Sequence, residues 1–482
     1  MITILKNSKI SISFIGLSVF AMGVISLLSH LQILPYSENL KPFVYVLRII
    51  ACTSAFVFFC MELERPLFSR KNFTFDNLLF LGIAGFLVLC INQRVGIYAG
   101  DVFLLFALIY CIAKRKIYVL NPIHYVLIAY AIFQVFGTIG TIRGFHFPEK
   151  YWFLILVPFA SCFFHLTREM AYKIMRVLVW SMMIYMTISL IFWWYNLQFA
   201  DIGVWQWMTG KESVMGKAAY EWVAEWSGYG HPSYVCLVLF PVFISLIYLV
   251  YKRLMGFTWV DLIIFSVLLL LSIAAMESRI GLVCFIFIVG VSGLFLSYFK
   301  RRHFKKMVLL TFCGIATVSL LFSEKISGFV EDPARKTLNT LAISYIKEHI
   351  WWGTGSREIH IGLMDQAEKM SAELPITDLG IVNTYAHNQF LGNMVQYGVW
   401  GALILTVLLI CWFGYAIRNR SYVLLMYLCV VFFYMMIEEP LTGQAGITRI
   451  TVFFMFFVAF INSGRKIKYY DFSQKGIFKH LP

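Results

Sequence analysis

Residues 259–298 read WVDLIIFSVLLLLSIAAMESRIGLVCFIFIVGVSGLFLSY. Two long apolar runs, 259–276 and 280–298, flank one short polar step, Glu277-Ser278-Arg279. Apolar runs of about 18 or more residues are long enough to cross a bilayer as helices. In lipid the backbone must satisfy its own hydrogen bonds, which leaves helices or closed barrels. A barrel strand alternates apolar and polar residues. These runs do not alternate, so they are read as a hairpin of two transmembrane helices.

The same reading extends outward. The chain has 482 residues, of which 60% are hydrophobic and only 13% charged, too few to solvate a soluble surface. Further runs lie at 10–30, 42–61, 77–93, 97–113, 118–141, 151–166, 177–198, 232–251, 307–323, 388–413, 421–437 and 447–462. The expected fold is an all-α polytopic integral membrane protein of about 12–14 transmembrane helices. Residues 1–482 form a single membrane domain in this reading. Spans fill 10–323, with a smaller outer loop at 199–231. A large outer loop follows at 324–387, then C-terminal spans over 388–462 and a cytoplasmic tail over 463–482. The run at 10–30 is not followed by an A-x-A-like cleavage site and is read as a retained span.

Charge gives the orientation. Alternate loops carry Arg65, Arg70, Lys71, Lys114, Arg115, Lys116, Lys252, Arg253, Lys300, Arg301, Arg302, Arg418 and Arg420, while the opposite loops carry few cations. The positive-inside rule places both termini in the cytoplasm and the 324–387 loop outside. The net charge of +15 then faces anionic headgroups, and no nucleic-acid partner is implied. The ten cysteines all fall inside predicted spans, which argues against a disulfide framework or thiolate metal site.

The long loop breaks this pattern. Structureless connections of more than about 15 residues are uncommon unless functional or disordered. Asp332 and Pro333 suit a helix start, and Leu338, Leu341, Tyr345 and Ile346 recur at helical spacing. This predicts an amphipathic helix able to lie on the membrane surface. The following turn, WWGTGSRE at 351–358, is a helix stop or a phosphate cradle made of backbone amides. His387 opens the next span, in which Gln389, Asn393 and Gln396 form a polar stripe facing a cavity or another helix. The helix dipole there disfavours imidazolium, as a general base requires. The alternative reading of His387 is a cap or an interhelical hydrogen bond. Arg279 sits in a hairpin too tight to reach water freely, so it is either paired with Glu277 or used to bind a diphosphate. Tryptophans in 199–231 are interfacial anchors or sugar-stacking platforms.

The order ESRIG (277–281), WWGTGS (351–356), AHNQFL (386–391), QYGVWG (396–401) and EEPLTGQAGITR (438–449) resembles the O-antigen ligase and polymerase superfamily of envelope glycosyltransferases. GYGHPSYV at 228–235 also resembles a family segment, so the likeness covers roughly 225–460. It implies a GT-C-like helical fold. It also implies transfer of a glycan from undecaprenyl diphosphate to an acceptor hydroxyl on the outer face of the bacterial inner membrane. The acceptor is a lipid A-core glycolipid for a ligase and a growing glycan for a polymerase. Other polysaccharide-assembly proteins are implied as neighbours. No metal or cofactor is implied, because the donor carries its own leaving group, and the outer acids Asp365, Glu368, Glu373, Asp378, Glu438 and Glu439 show no metal-ligand spacing with histidine.

Within the resemblance, His387 maps onto the family's base and Arg279 onto its diphosphate-binding arginine. A further family arginine has no counterpart at Glu225-Trp226-Ser227-Gly228. Arg335, Arg357 or His231 is expected to replace it, with Asn388, Glu277 and Glu438 as further contacts. Glu438 and Glu439 are read as pairing with Arg449 or orienting His387. The mechanism implied is metal-independent inverting displacement. The alternatives are a transporter or flippase of lipid-linked glycans or small anions, or a protein O-oligosaccharyltransferase.

Overall fold

Long apolar segments with no polar period leave the backbone no partner but itself, and the chain answers with helices. The computed structural model describes residues 74–137, 151–199, 232–276, 278–299, 333–355, 359–370, 386–465, 468–471 and 477–480. The expected spans at 10–30, 42–61 and 307–323 lie outside the described residues, as do residues 200–231 of the smaller loop. Chain order begins with α1 (Phe75–Leu89), α2 (Gln93–Lys114), β1 (Lys116–Tyr118), α3 (Pro122–Phe136), α4 (Trp152–Ala160) and α5 (Arg168–Phe199). Next come α6 (Pro232–Lys252), α7 (Trp259–Ala275), α8 (Arg279–Phe299), α9 (Pro333–Glu348) and α10 (Ile359–Lys369). The chain closes with α11 (Gln389–Tyr397), α12 (Val399–Arg418), α13 (Tyr422–Ile437), α14 (Gln444–Asn462), β2 (Lys468–Asp471) and β3 (Ile477–His480).

Among the described residues, five helices are long and apolar enough to cross a membrane, in α2, α5, α6, α12 and α14. Five shorter apolar helices accompany them, in α1, α3, α7, α8 and α13. The fold is an all-α polytopic membrane protein. One addition to that expectation is a small antiparallel sheet in the order β1-β2-β3.

The chain divides into two compact units, Met1–Phe106 with Arg168–Ser327, and Ala107–Thr167 with Gly328–Pro482. In the first unit α5 packs on α1, α6 and α7, and α6 also packs on α7 and α8. Phe243 of α6 stacks on Phe265 and Phe285, with ring centroids 5.7 and 5.8 Å apart. Asp261 lies in the first turn of α7, where its carboxylate accepts from the Thr258 backbone N–H at 2.7 Å and the Thr258 hydroxyl at 2.8 Å. An acid in that place complements the helix dipole, so this charge at a span end is a cap.

In the second unit α14 is the buried centre, against α4 and α13. Trp412 of α12 stacks on Phe454 of α14 at 4.6 Å. The far ends of three helices are tied together by polar side chains. Asn121 Nδ2 donates to the Tyr415 hydroxyl at 3.0 Å and to Asn462 Oδ1 at 3.3 Å. Beside them β2 pairs with β1, Lys116 opposite Asp471 and Tyr118 opposite Tyr469.

Candidate active site

The 388–413 run is not one helix. It breaks at Gly398, which has φ +63°, into the nine-residue α11 and the twenty-residue α12. The segment 350–355 is inserted in the break. Thr354 N–H donates to Val395 O at 2.9 Å, Gly355 N–H to Gln396 O at 2.8 Å, and Val399 N–H to Ile350 O at 2.8 Å. Terminal carbonyls of a helix need such partners. The Thr354 and Gly355 amides therefore cap α11 and are not open to cradle a phosphate. The glycines serve close approach: a Cβ on Gly353 would strike Val395 O, and one on Gly398 would strike the Trp351 carbonyl.

The amphipathic helix forms as α9, but its apolar stripe does not face a membrane. Leu341, Ala342, Tyr345 and Ile346 are buried with Ile359 and Leu363 of α10 and Val395 of α11. Glu348 fastens the pair, accepting from Lys369 Nζ at 2.7 Å and Gln366 Nε2 at 3.2 Å. Those bonds, the lysine's first, lower the Glu348 carboxyl below its ordinary value. α9 thus presents Arg335 at one end of a packed layer over α11.

Three side chains meet at the C-terminus of α13. Asn388 caps α11, its Oδ1 accepting from Phe390 N–H at 2.9 Å and Leu391 N–H at 3.1 Å, while its Nδ2 donates to Met436 O at 3.0 Å. Arg335 Nη1 donates to Ile437 O at 2.8 Å. A cation is favoured there by the negative end of the helix dipole. Arg335 Nη2 also reaches Glu438 Oε1 at 3.2 Å, and Glu438 Oε2 lies 3.3 Å from His387 Nδ1. The Glu438 side chain is 10% exposed, His387 30% and Arg335 32%. One largely buried carboxylate is thus shared between an imidazole and a guanidinium at a surface both can reach. His387 holds φ +50°, an uncommon conformation that histidine tolerates better than most residues, and it turns the chain into Asn388.

The polar stripe faces protein. Gln389 is fully buried; its Oε1 accepts from Leu441 N–H at 2.8 Å and its Nε2 donates to Thr442 Oγ1 and Asn393 Oδ1, both at 3.0 Å. This clamps the 438–442 turn onto α11. Asn393 Nδ2 continues to the Tyr130 hydroxyl at 3.3 Å. Tyr397 and Tyr151 both donate to Gln134 Oε1, at 2.7 and 3.1 Å. Buried Glu439 sits against Gly392, where a Cβ would meet its carboxylate at 2.5 Å. Arg449 is buried and donates to Ala445 O at 3.2 Å.

Arg279 belongs to the other unit. It is the exposed first residue of α8, whose Ser278 hydroxyl accepts from Gly281 N–H at 3.2 Å. Gly281 admits α6, since a Cβ there would lie 3.1 Å from Cys236 Sγ. Glu277, His231 and Arg357 lie outside the described residues. The sequence reading passed over Tyr130, Gln134 and Tyr151. Gln134 was the available signal, as a glutamine inside an apolar run.

Residues 264–406 match the O-antigen ligase family model. The chain therefore carries a domain of the O-antigen ligase and polymerase superfamily. The match takes in ESRIG, WWGTGS, AHNQFL and QYGVWG, and with them Arg279, Arg335 and His387. GYGHPSYV and EEPLTGQAGITR lie beyond it, so Glu438 reaches the O-antigen ligase domain from the following segment. No curated protein matches the chain.

Proposed function

We propose that this protein transfers a glycan from undecaprenyl diphosphate to an acceptor hydroxyl at the outer face of the bacterial inner membrane, as an O-antigen ligase or polymerase. The observation that carries the reading is Glu438 bridging His387 and Arg335. A proton on Nδ1, donated to Glu438, leaves the Nε2 lone pair of a neutral imidazole as the base. Arg335 balances the charge of Glu438 and fixes its position. His387 Nε2 then takes the acceptor's proton as its oxygen attacks the anomeric carbon and the diphosphate departs. Such a base contributes about 10²–10⁴-fold in rate.

Arg279 is assigned to the departing diphosphate on the resemblance of its Ser-Arg motif, and Arg357 is the second candidate. A guanidinium matches phosphate oxygens through paired hydrogen bonds and stabilises charge as it develops. The family match supports glycosyl transfer in general. The donor lipid, the outer location and the metal-independent inverting course are this proposal's own. Cytoplasmic termini follow from the placing of Lys and Arg.

The test is a gel ladder of surface glycans from a strain lacking the protein, rescued by wild type or His387→Asn at equal membrane level. Core bearing a single repeat unit means a polymerase. Bare core with long chains left on undecaprenyl diphosphate means a ligase. Full rescue by His387→Asn would remove the base, and an unchanged ladder in the null strain would remove the pathway.

A further inference from the structure

The helix α12 carries an exposed apolar stripe of Trp400, Leu403, Val407, Ile410 and Ile417, which recurs at helical spacing along one face. The helix is of membrane-crossing length and hydropathy, and Arg418 and Arg420 follow at its far end. An aromatic residue at one end and arginines at the other are the usual boundaries of a lipid-facing helix. At the aromatic end the inserted segment adds to the same surface. Ile350 hydrogen-bonds Val399, the first residue of α12, and the side chains that follow it point outward. Trp351 is 61% exposed and Trp352 76% exposed. Large exposed apolar side chains in sequence are unfavourable in water, at about 25 cal/mol per Å² of area left wet.

We propose that Trp351, Trp352 and Trp400 form an anchor in the headgroup–acyl boundary of the bilayer, continuous with the lipid-facing stripe of α12. The occupant is phospholipid. Indole suits that place because its ring is apolar and its N–H can meet a headgroup or water. The anchor also sets a height. The segment that carries the tryptophans caps the C-terminal end of α11 through Thr354 and Gly355, and His387 immediately precedes Asn388, which caps the other end. At 1.5 Å per residue this keeps His387 within roughly 15 Å of the boundary. The inference rests on the membrane fold and stands whether or not the protein transfers a glycan.

The test uses the full chain in nanodiscs of phosphatidylethanolamine and phosphatidylglycerol. A photoreactive benzoylphenylalanine replaces Trp352, Ile410 or Lys347 in turn, and adducts are read by mass spectrometry. Phospholipid adducts at 352 and 410 and none at 347 are the expected result. Adducts at 352 made only with a second copy of the chain would overturn the proposal. So would lipid capture at 410 with none at 352.

Discussion

His387 turns the chain and, in the proposed reaction, acts as the base, and substitution separates the two roles. Its backbone holds φ +50°, a region that asparagine also tolerates, whereas most side chains lose roughly 1–2 kcal/mol there. His387→Asn should keep the turn and the thermal midpoint while reducing transfer about 10²-fold or more, measured on purified protein with a lipid-linked donor. Glu438→Gln should keep the shape but weaken the hold on both His387 and Arg335, and activity should fall with the protein still inserted at its normal level. Gln389→Leu acts one layer further in. It removes the partner of Leu441 N–H and two further bonds, and should cost about 2–4 kcal/mol, read as a lowered unfolding midpoint in detergent. At this scale the sequence was legible at most places where a polar residue interrupted an apolar run, Gln134 being the exception. The stripe of Gln389, Asn393 and Gln396 announced itself, and so did the acid pair at 438–439. The tyrosines that complete the network did not. Tyr130, Tyr151 and Tyr397 look like ordinary span aromatics until their hydroxyls are placed.

The elements show where apolar pattern stops being informative. The stripe on α9 was readable, but amphipathicity names a face and not the surface that covers it. Here the cover is α10 and α11 rather than lipid. The run through 388–413 hid its break because Gly398 leaves no apolar gap. Its φ of +63° and the approach of the Trp351 carbonyl are tertiary facts. Gly398→Ala should therefore loosen the inserted segment, seen as faster amide hydrogen exchange at Thr354 and Gly355. The seam between α9 and α10 gives a pH test. Glu348 is depressed by Lys369 and Gln366, so its contribution is present above the unfolded carboxylate value and is lost as pH falls through the lower folded one. Protection factors in α10, corrected for the slower intrinsic exchange at low pH, should fall on acidification across that window in wild type and show no such step in Glu348→Gln. The ion pair is exposed, so the step should be small and should shrink with salt.

For the whole molecule, hydropathy gave the class and charge gave an orientation that can be checked directly. Reporters active only outside the cytoplasm, fused after Lys369, should be active, and those fused after Arg420 silent. The three-stranded sheet was not readable, because its strands are only three or four residues long and β1 lies far in sequence from β2 and β3. That pairing has a consequence for how the protein is made. Lys116 finds Asp471, and α3 and α4 find α12 and α14, only after some three hundred intervening residues have left the ribosome. Contacts of such separation form late. The early helices of this unit must wait in the bilayer as unfinished partners, Asn121 without Tyr415 and Asn462 and Gln134 without Tyr397. A nascent chain arrested before α14 should be a ready substrate for membrane quality control, while one that has completed β3 should escape it.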